Sequence, residues 1–186
     1  MADARFRARA AAPCISRRAL SNVGNAVRLA QEGADVIAID ISAQSKELED
    51  TARPVRATGQ RIVAELSDIR DIEAMSAIVR TGVAQLGHLD VVCANAGITG
   101  TAQRQSTDLA TRLRTFREVV DINLTGTFCT IEVSKPWLLA SNRGGSVIIN
   151  FLAGLRAGRR LHGVQARTVR AKGCLVTRCR AGGAGS

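Results

Sequence analysis

Between residues 26 and about 154, short apolar runs alternate with stretches of helical periodicity, and that alternation restricts the chain to an open α/β sheet. Ala26, Val27, Leu29 and Ala30 share one helical face that stops at Gly33, and the run 35–39 follows directly. That run hardly alternates, which suits a strand covered by helices on both faces. Residues 61–65, 89–94 and 146–150 supply further candidate strands. Helical patterns lie between them. One covers 42–58 with an interruption at Pro54. A second starts at Asp71 and ends near Gly87, with Met75, Ile78, Val79, Val83 and Leu86 at helical spacing. A third runs from 109 to 139, broken around Asn123 and Pro136. Strands joined through helices imply right-handed crossovers, so the expected fold class is α/β, an incomplete Rossmann-type doubly wound parallel sheet. Ligands in such sheets bind beyond the carboxyl ends of the strands, where Asp40, Asp68, Asn95 and Asn150 fall.

Charge separates the ends from this middle. Residues 1–25 hold five Arg against one Asp, and 152–186 hold eight Lys/Arg and no acid, so of the formal +10 the ends carry +4 and +8 and the stretch 26–151 is left with −2. A basic tail can neutralise the phosphates of nucleic acid or an anionic membrane. No aromatic residue lies in 152–186 to stack on a base, so nucleic acid is not expected as a partner. Cys14, Cys93, Cys129, Cys174 and Cys179 lack paired metal-ligand spacing with His88 or His162, and no metal is expected. An odd cysteine count, with no apolar N-terminal run of signal-peptide length, implies a cytoplasmic location. No stretch reaches membrane-spanning length, and no membrane association is expected.

Three features converge on one family. Asn95-Ala96-Gly97 directly follows an apolar run, Leu89-Asp90 opens that run, and Asp121-Ile122-Asn123-Leu124-Thr125-Gly126 comes about 26 residues later. The set resembles the short-chain dehydrogenase/reductase family over roughly residues 26–155, and the stretch 26–44 is similar to carveol-dehydrogenase-type members from actinobacteria. The resemblance implies NAD as cofactor, an alcohol or carbonyl small molecule as substrate, and homo-oligomers formed through the long helix. Asp40, with Ile41 beside it, would accept hydrogen bonds from the adenosine ribose hydroxyls and repel a 2′-phosphate. Asp68 and Ile69 would flank the adenine. Asn95, Ala96 and Gly97 would form a turn of small side chains beneath the cofactor. Asn123, a poor helix former, would bend its helix and hold a water of the catalytic proton relay.

The family pattern stops at both ends. Its chemistry uses a tyrosine whose pKa a nearby lysine lowers, because an unperturbed phenol near pKa 10 is a poor base at neutral pH. The chain contains no tyrosine. Phe151 stands where the family has a serine, Gly163 where it has the tyrosine and Arg167 where it has the lysine, in a segment that starts at His162. Upstream, Ile15, Ser16, Leu20 and Asn22 occupy the places of Thr-Gly-x-x-x-Gly-x-Gly, so the backbone approach to a pyrophosphate is lost and Gly24 alone cannot restore it.

The run 5–15, rich in arginine and alanine and containing Pro13, is poor material for a buried central strand. No strand is expected beyond Gly154. The chain is therefore read as a degenerate segment over 1–25, a partial dinucleotide-binding domain over 26–155 and a basic, disordered tail over 156–186. It is expected to be an oxidoreductase by descent and a pseudoenzyme in activity. The alternative is a non-catalytic remnant, or a dinucleotide- or partner-binding module with a basic tail. Both ends are expected to be out-of-frame or otherwise damaged coding sequence. The other two reading frames of the gene should then contain a glycine-rich loop upstream and Tyr-x-x-x-Lys downstream; finding neither rejects the explanation.

Overall fold

The computed structural model describes residues 12–15, 22–41, 45–99, 108–141, 145–155 and 169–179. Strand β1 (Ala12–Ile15) is followed by α1 (Asn22–Gln31), β2 (Val36–Asp40), α2 (Ser45–Ala57), β3 (Ile62–Leu66), α3 (Ile72–Leu86) and β4 (Val91–Ala94). Helix α4 (Leu109–Val120) then passes through a π-helical segment (Asp121–Gly126) into α5 (Thr127–Ala140), before β5 (Gly145–Leu155) and β6 (Val169–Cys179). The sheet order is β3-β2-β1-β4-β5-β6. The first five strands are mutually parallel and β6 is antiparallel to β5. This is the doubly wound Rossmann-type arrangement with one antiparallel edge strand.

Alternation along the buried strands feeds two cores. Ile37 and Ile39 of β2 and Val92 of β4 pack with Met75, Val79 and Val83 of α3 on one face. Val36 and Ala38, with Val91 and Cys93, pack on the other against Ala26 and Ala30 of α1 and Leu48 and Val55 of α2. Each strand thus buries both of its faces, which is why its sequence reads as a continuous apolar run. Gly82 lets α3 come down onto the sheet, since a Cβ there would stand 2.4 Å from Ile37 Cδ1.

Helix ends follow the residues that stop them. The N–H of Gly33 donates to the carbonyl of Ala30 and that of Ala34 to Leu29, closing α1 with Gly33 at φ 94°. Asp71 caps α3 by accepting the Ala74 N–H at 3.0 Å, and Gly87 ends that helix at φ 101°. Pro54 and Pro136 do not interrupt their helices. Both α2 and α5 continue past the proline, because Val55 and Leu138, just beyond it, are buried in the two cores.

The first strand departs from the sequence expectation. Ala12–Ile15 lies in the centre of the sheet, pairing Ala12, Pro13, Cys14 and Ile15 with Val36, Ile37, Ala38 and Ile39. Its other pairing, with Cys93 and Ala94, begins only at Cys14, past the residue that has no N–H to give. The strand is four residues long and contains no charged residue.

The expectation of no later strand is also corrected. Val169–Cys179 pairs with the full length of β5, from Gly145↔Cys179 to Leu155↔Val169. The missed signal is a period of two, with Arg170, Lys172 and Arg178 alternating with Val169, Ala171 and Thr177. The disordered-tail reading of 156–186 therefore does not extend to these residues.

At the amino end of the sheet Arg61 ties three elements together. Its Nη2 donates to Asp35 Oδ2 at 2.5 Å, its Nη1 to the Gln85 carbonyl at 2.8 Å, and its own N–H to Asp35 Oδ1 at 2.7 Å. The guanidinium thereby caps the C-terminus of α3 and aligns the starts of β2 and β3. Because its side chain is 60% exposed, solvent screens the pair, and Arg61→Ala is expected to cost about 1 kcal/mol. An unchanged urea midpoint would reject this role.

Candidate functional site

The carboxyl ends of β2, β3 and β4 and the π segment meet along one edge, and the residues singled out from sequence are held there. Asp40 ends β2 and is only 4% exposed. Its Oδ1 accepts the Ile41 N–H at 2.8 Å, and its carbonyl accepts the Ser67 N–H at 2.8 Å. Asp40 and Ile41 therefore adjoin the turn that leads to Asp68.

Asp68 and Ile69 have different surroundings. The Asp68 carboxylate accepts from Arg70 through the backbone N–H (3.0 Å), Nε (2.9 Å) and Nη2 (2.5 Å). Arg70 Nη1 reaches across to Asp121 Oδ2 at 2.9 Å. Hydrogen bonds to Asp68 and then to Asp121 hold this guanidinium above its ordinary pKa, so it stays cationic. Among the described residues, the carboxylates of Asp40, Asp68 and Asp121 and the guanidinium of Arg70 thus lie along this edge. The side chain of Ile69 points away from the edge into the core at 5% exposure, against Gly126, where a Cβ would come within 2.3 Å of Ile69 Cδ1.

After β4, Asn95, Ala96 and Gly97 form a half-buried turn. Asn123 secures it: its Oδ1 accepts the Ile98 N–H at 2.7 Å and its Nδ2 donates to the Ile98 carbonyl at 2.9 Å. One side-chain amide thus serves both backbone groups of a residue beyond the end of its strand. Gly97 makes room for it, since a Cβ there would stand 3.1 Å from Asn123 Oδ1. The Asn123 carbonyl accepts the Thr127 hydroxyl at 2.8 Å, and the Gly126 carbonyl accepts that of Thr130 at 2.8 Å. These hydroxyls bond to carbonyls four residues back, in and just after the segment where π geometry disturbs the regular helical ladder. Asn123 thus lies in the π-helical segment, and its side chain is bonded to Ile98.

Sequence reasoning missed Arg70 and Asp121. Asp68-x-Arg70 reads as an ordinary local charge pair, and nothing in one sequence announces a partner 51 residues away. The segment around Ser16 and Leu20, the side chains of Asn22, Asn150 and Phe151, and the stretch containing His162, Gly163 and Arg167 lie outside what is described. Gly24 meets nothing within 4 Å of an added Cβ, so no close packing requires glycine there. Among the described residues, no group of three or more His, Cys, Asp or Glu is placed to hold a metal ion, and no helix is long and apolar enough to cross a membrane.

Comparison with known proteins places this edge in context. The family model described as short chain dehydrogenase matches residues 23–160. A (-)-trans-carveol dehydrogenase of Rhodococcus erythropolis is 38% identical over 143 residues, which cover 71% of this chain and 50% of that protein. A Mycobacterium tuberculosis protein named as an uncharacterized NAD-dependent oxidoreductase is 38% identical over 146 residues, 72% of this chain and 51% of its own length. The crystal structure of carveol dehydrogenase from Mycobacterium avium in complex with NAD superposes with a TM-score of 0.66 at 36% identity, over 78% of this chain and 55% of that one. The chain spans about half the length of these relatives. On the family match and the shared fold, the chain belongs to the short-chain dehydrogenase family.

Proposed function

We propose that this chain is an NAD-dependent oxidoreductase by descent that retains part of a dinucleotide-binding edge and does not itself catalyse hydride transfer. One observation carries the reading: no tyrosine occurs in its 186 residues, although Asp40 ends β2 and Asn123 binds both backbone groups of Ile98. In the reaction of such enzymes NAD supplies the hydride acceptor or donor, and the protein must move a proton at the alcohol or carbonyl oxygen of the substrate. Phenylalanine at position 151 and glycine at 163 have no group for that proton.

The ribose end of the edge fits NAD. Asp40 is an acid at a strand terminus, suited to a ribose diol and repelling a 2′-phosphate, and among the described residues the two carboxylates paired with Arg70 act in the same direction. The small side chains of Ala96 and Gly97 allow close approach of the backbone. The pyrophosphate end does not fit, because Ser16, Leu20 and Asn22 replace the glycines. Weak binding of NAD, tighter than that of NADP, is the expected result.

Incubation of the purified chain with NAD and a panel of secondary alcohols should give no NADH, and turnover at rates normal for the family overturns the proposal. Calorimetric titration should show NAD favoured over NADP, and Asp40→Asn should narrow that preference about tenfold by removing one charge–charge repulsion. An unaltered preference removes Asp40 from the reading.

Self-association is the second part of the proposal. Leu109, Leu113, Phe116, Val120, Leu124 and Phe128 form an exposed apolar line along α4, the π segment and α5, with Phe116, Leu124 and Phe128 each more than 60% exposed. Such a line on a single chain marks an interaction face. Its core is a row spaced every four residues: Arg112, Phe116, Val120, Leu124, Phe128, Glu132. Two copies laid antiparallel about Ile122 would set Phe116 against Phe128, Val120 against Leu124 and Arg112 against Glu132. The row is thus self-complementary in both apolarity and charge, as a two-fold interface requires. Leu124→Glu should raise the dimer dissociation constant at least about tenfold in sedimentation equilibrium. A monomeric wild-type chain, or an unaffected variant, rejects the interface.

A further inference from the structure

One six-residue segment grips both of the turns that border the site. Asp121 holds the turn after β3 through Arg70, whose remaining donors hold Asp68. Two residues on, Asn123 holds the turn after β4 through both backbone groups of Ile98. Three residues further, Gly126 receives Ile69 so closely that no Cβ fits between them. The turn after β3 is therefore fastened at both ends of the π segment, and the turn after β4 at its middle.

Direct hydrogen bonds between the two turns are not needed for one to sense the other. Loss of the Arg70–Asp121 link frees the start of the segment, and the Asn123 amide, two residues on, then has to find Ile98 from a less ordered backbone. A π turn suits the task, since its local hydrogen bonding is poorer than that of an α turn and outside contacts contribute more to its order. We propose that the segment Asp121–Gly126 couples the two turns, with Arg70 as the positioning residue, so that a ligand ordering the adenine-side turn at 68–70 also orders the turn at 95–98.

The ligand-dependent half of this proposal rests on reading the edge as a dinucleotide site; the coupling itself does not. The size of the effect is bounded by solvent. The side chains of Arg70 and Asp121 are 40% and 49% exposed, so the link shifts a local opening equilibrium by a small factor. Ordering transmitted in this way appears as exchange protection without any change of fold.

Amide hydrogen exchange of the full chain tests the coupling, with Ile98 as reporter and the Gly87 N–H, bonded to the Val83 carbonyl at 2.7 Å, as the reference in α3. Arg70→Gln and the isosteric Asp121→Asn should each speed exchange at Ile98 about two- to fivefold and leave Gly87 unchanged. Faster exchange confined to residues 68–70, with Ile98 unaltered, overturns the coupling.

Adenosine monophosphate, which carries only the adenine end of the cofactor, supplies a separate arm on the unaltered chain. Protection of both turns supports the proposal, and protection of 68–70 alone overturns it. Protection of neither turn overturns the dinucleotide reading, while the two variants still decide the coupling.

Discussion

Everything in this fold depends on the backbone pairing of four residues in the middle of the sheet. β1 lies between β2 and β4, both of which are buried on both faces, so any N–H or carbonyl left unpaired there would face apolar side chains. Each such group costs roughly 1 to 3 kcal/mol, and a domain of this size has about 5 to 15 kcal/mol of net stability. Ala12–Ile15 meets that demand at minimum length: four residues satisfy β2, and the last two reach β4. Proline at the second position is tolerated because β4 is not paired there.

The elements legible in the sequence were those whose local pattern and tertiary role agree. Residues 35–39 read as a covered strand because both of its faces are buried. Residues 71–87 read as a helix because Asp71 and Gly87 are its caps and Met75, Val79, Val83 and Leu86 make one buried stripe. The break in the long helical pattern around Asn123 was legible too, since asparagine is a poor helix former and Asn123 lies in the π segment. β1 was illegible because its neighbours in sequence are arginines, while what makes it a strand comes from residues 36–39 and 93–94. At the site, Asp40 and the turn at 95–97 could be located from their positions after strands. The bonds from Asn123 to Ile98 and from Arg70 to Asp121 could not, because they join residues 25 and 51 apart in sequence.

The edge itself is organised by reciprocal commitment of polar groups. Asn123 serves Ile98, Arg70 serves Asp68 and Asp121, and the hydroxyls of Thr127 and Thr130 serve carbonyls in the distorted helix. These groups meet one another's hydrogen-bonding needs within the chain. The same distortion that turns the amide of Asn123 toward Ile98 leaves Leu124 and Phe128 on the outer apolar row. Inner and outer faces of the long helix are thus set by one local irregularity.

β6 brings a consequence of its own. In an open parallel sheet the outer edge of β5 is a free template, and it would accept another strand of either direction. Here eleven residues of β6 lie along it in continuous register, running opposite to every other strand. Any further strand would have to invade that edge by displacement, removing a whole ladder before adding its own. The outer edge of β5 is in this sense already sealed, by a competitor that is covalently attached.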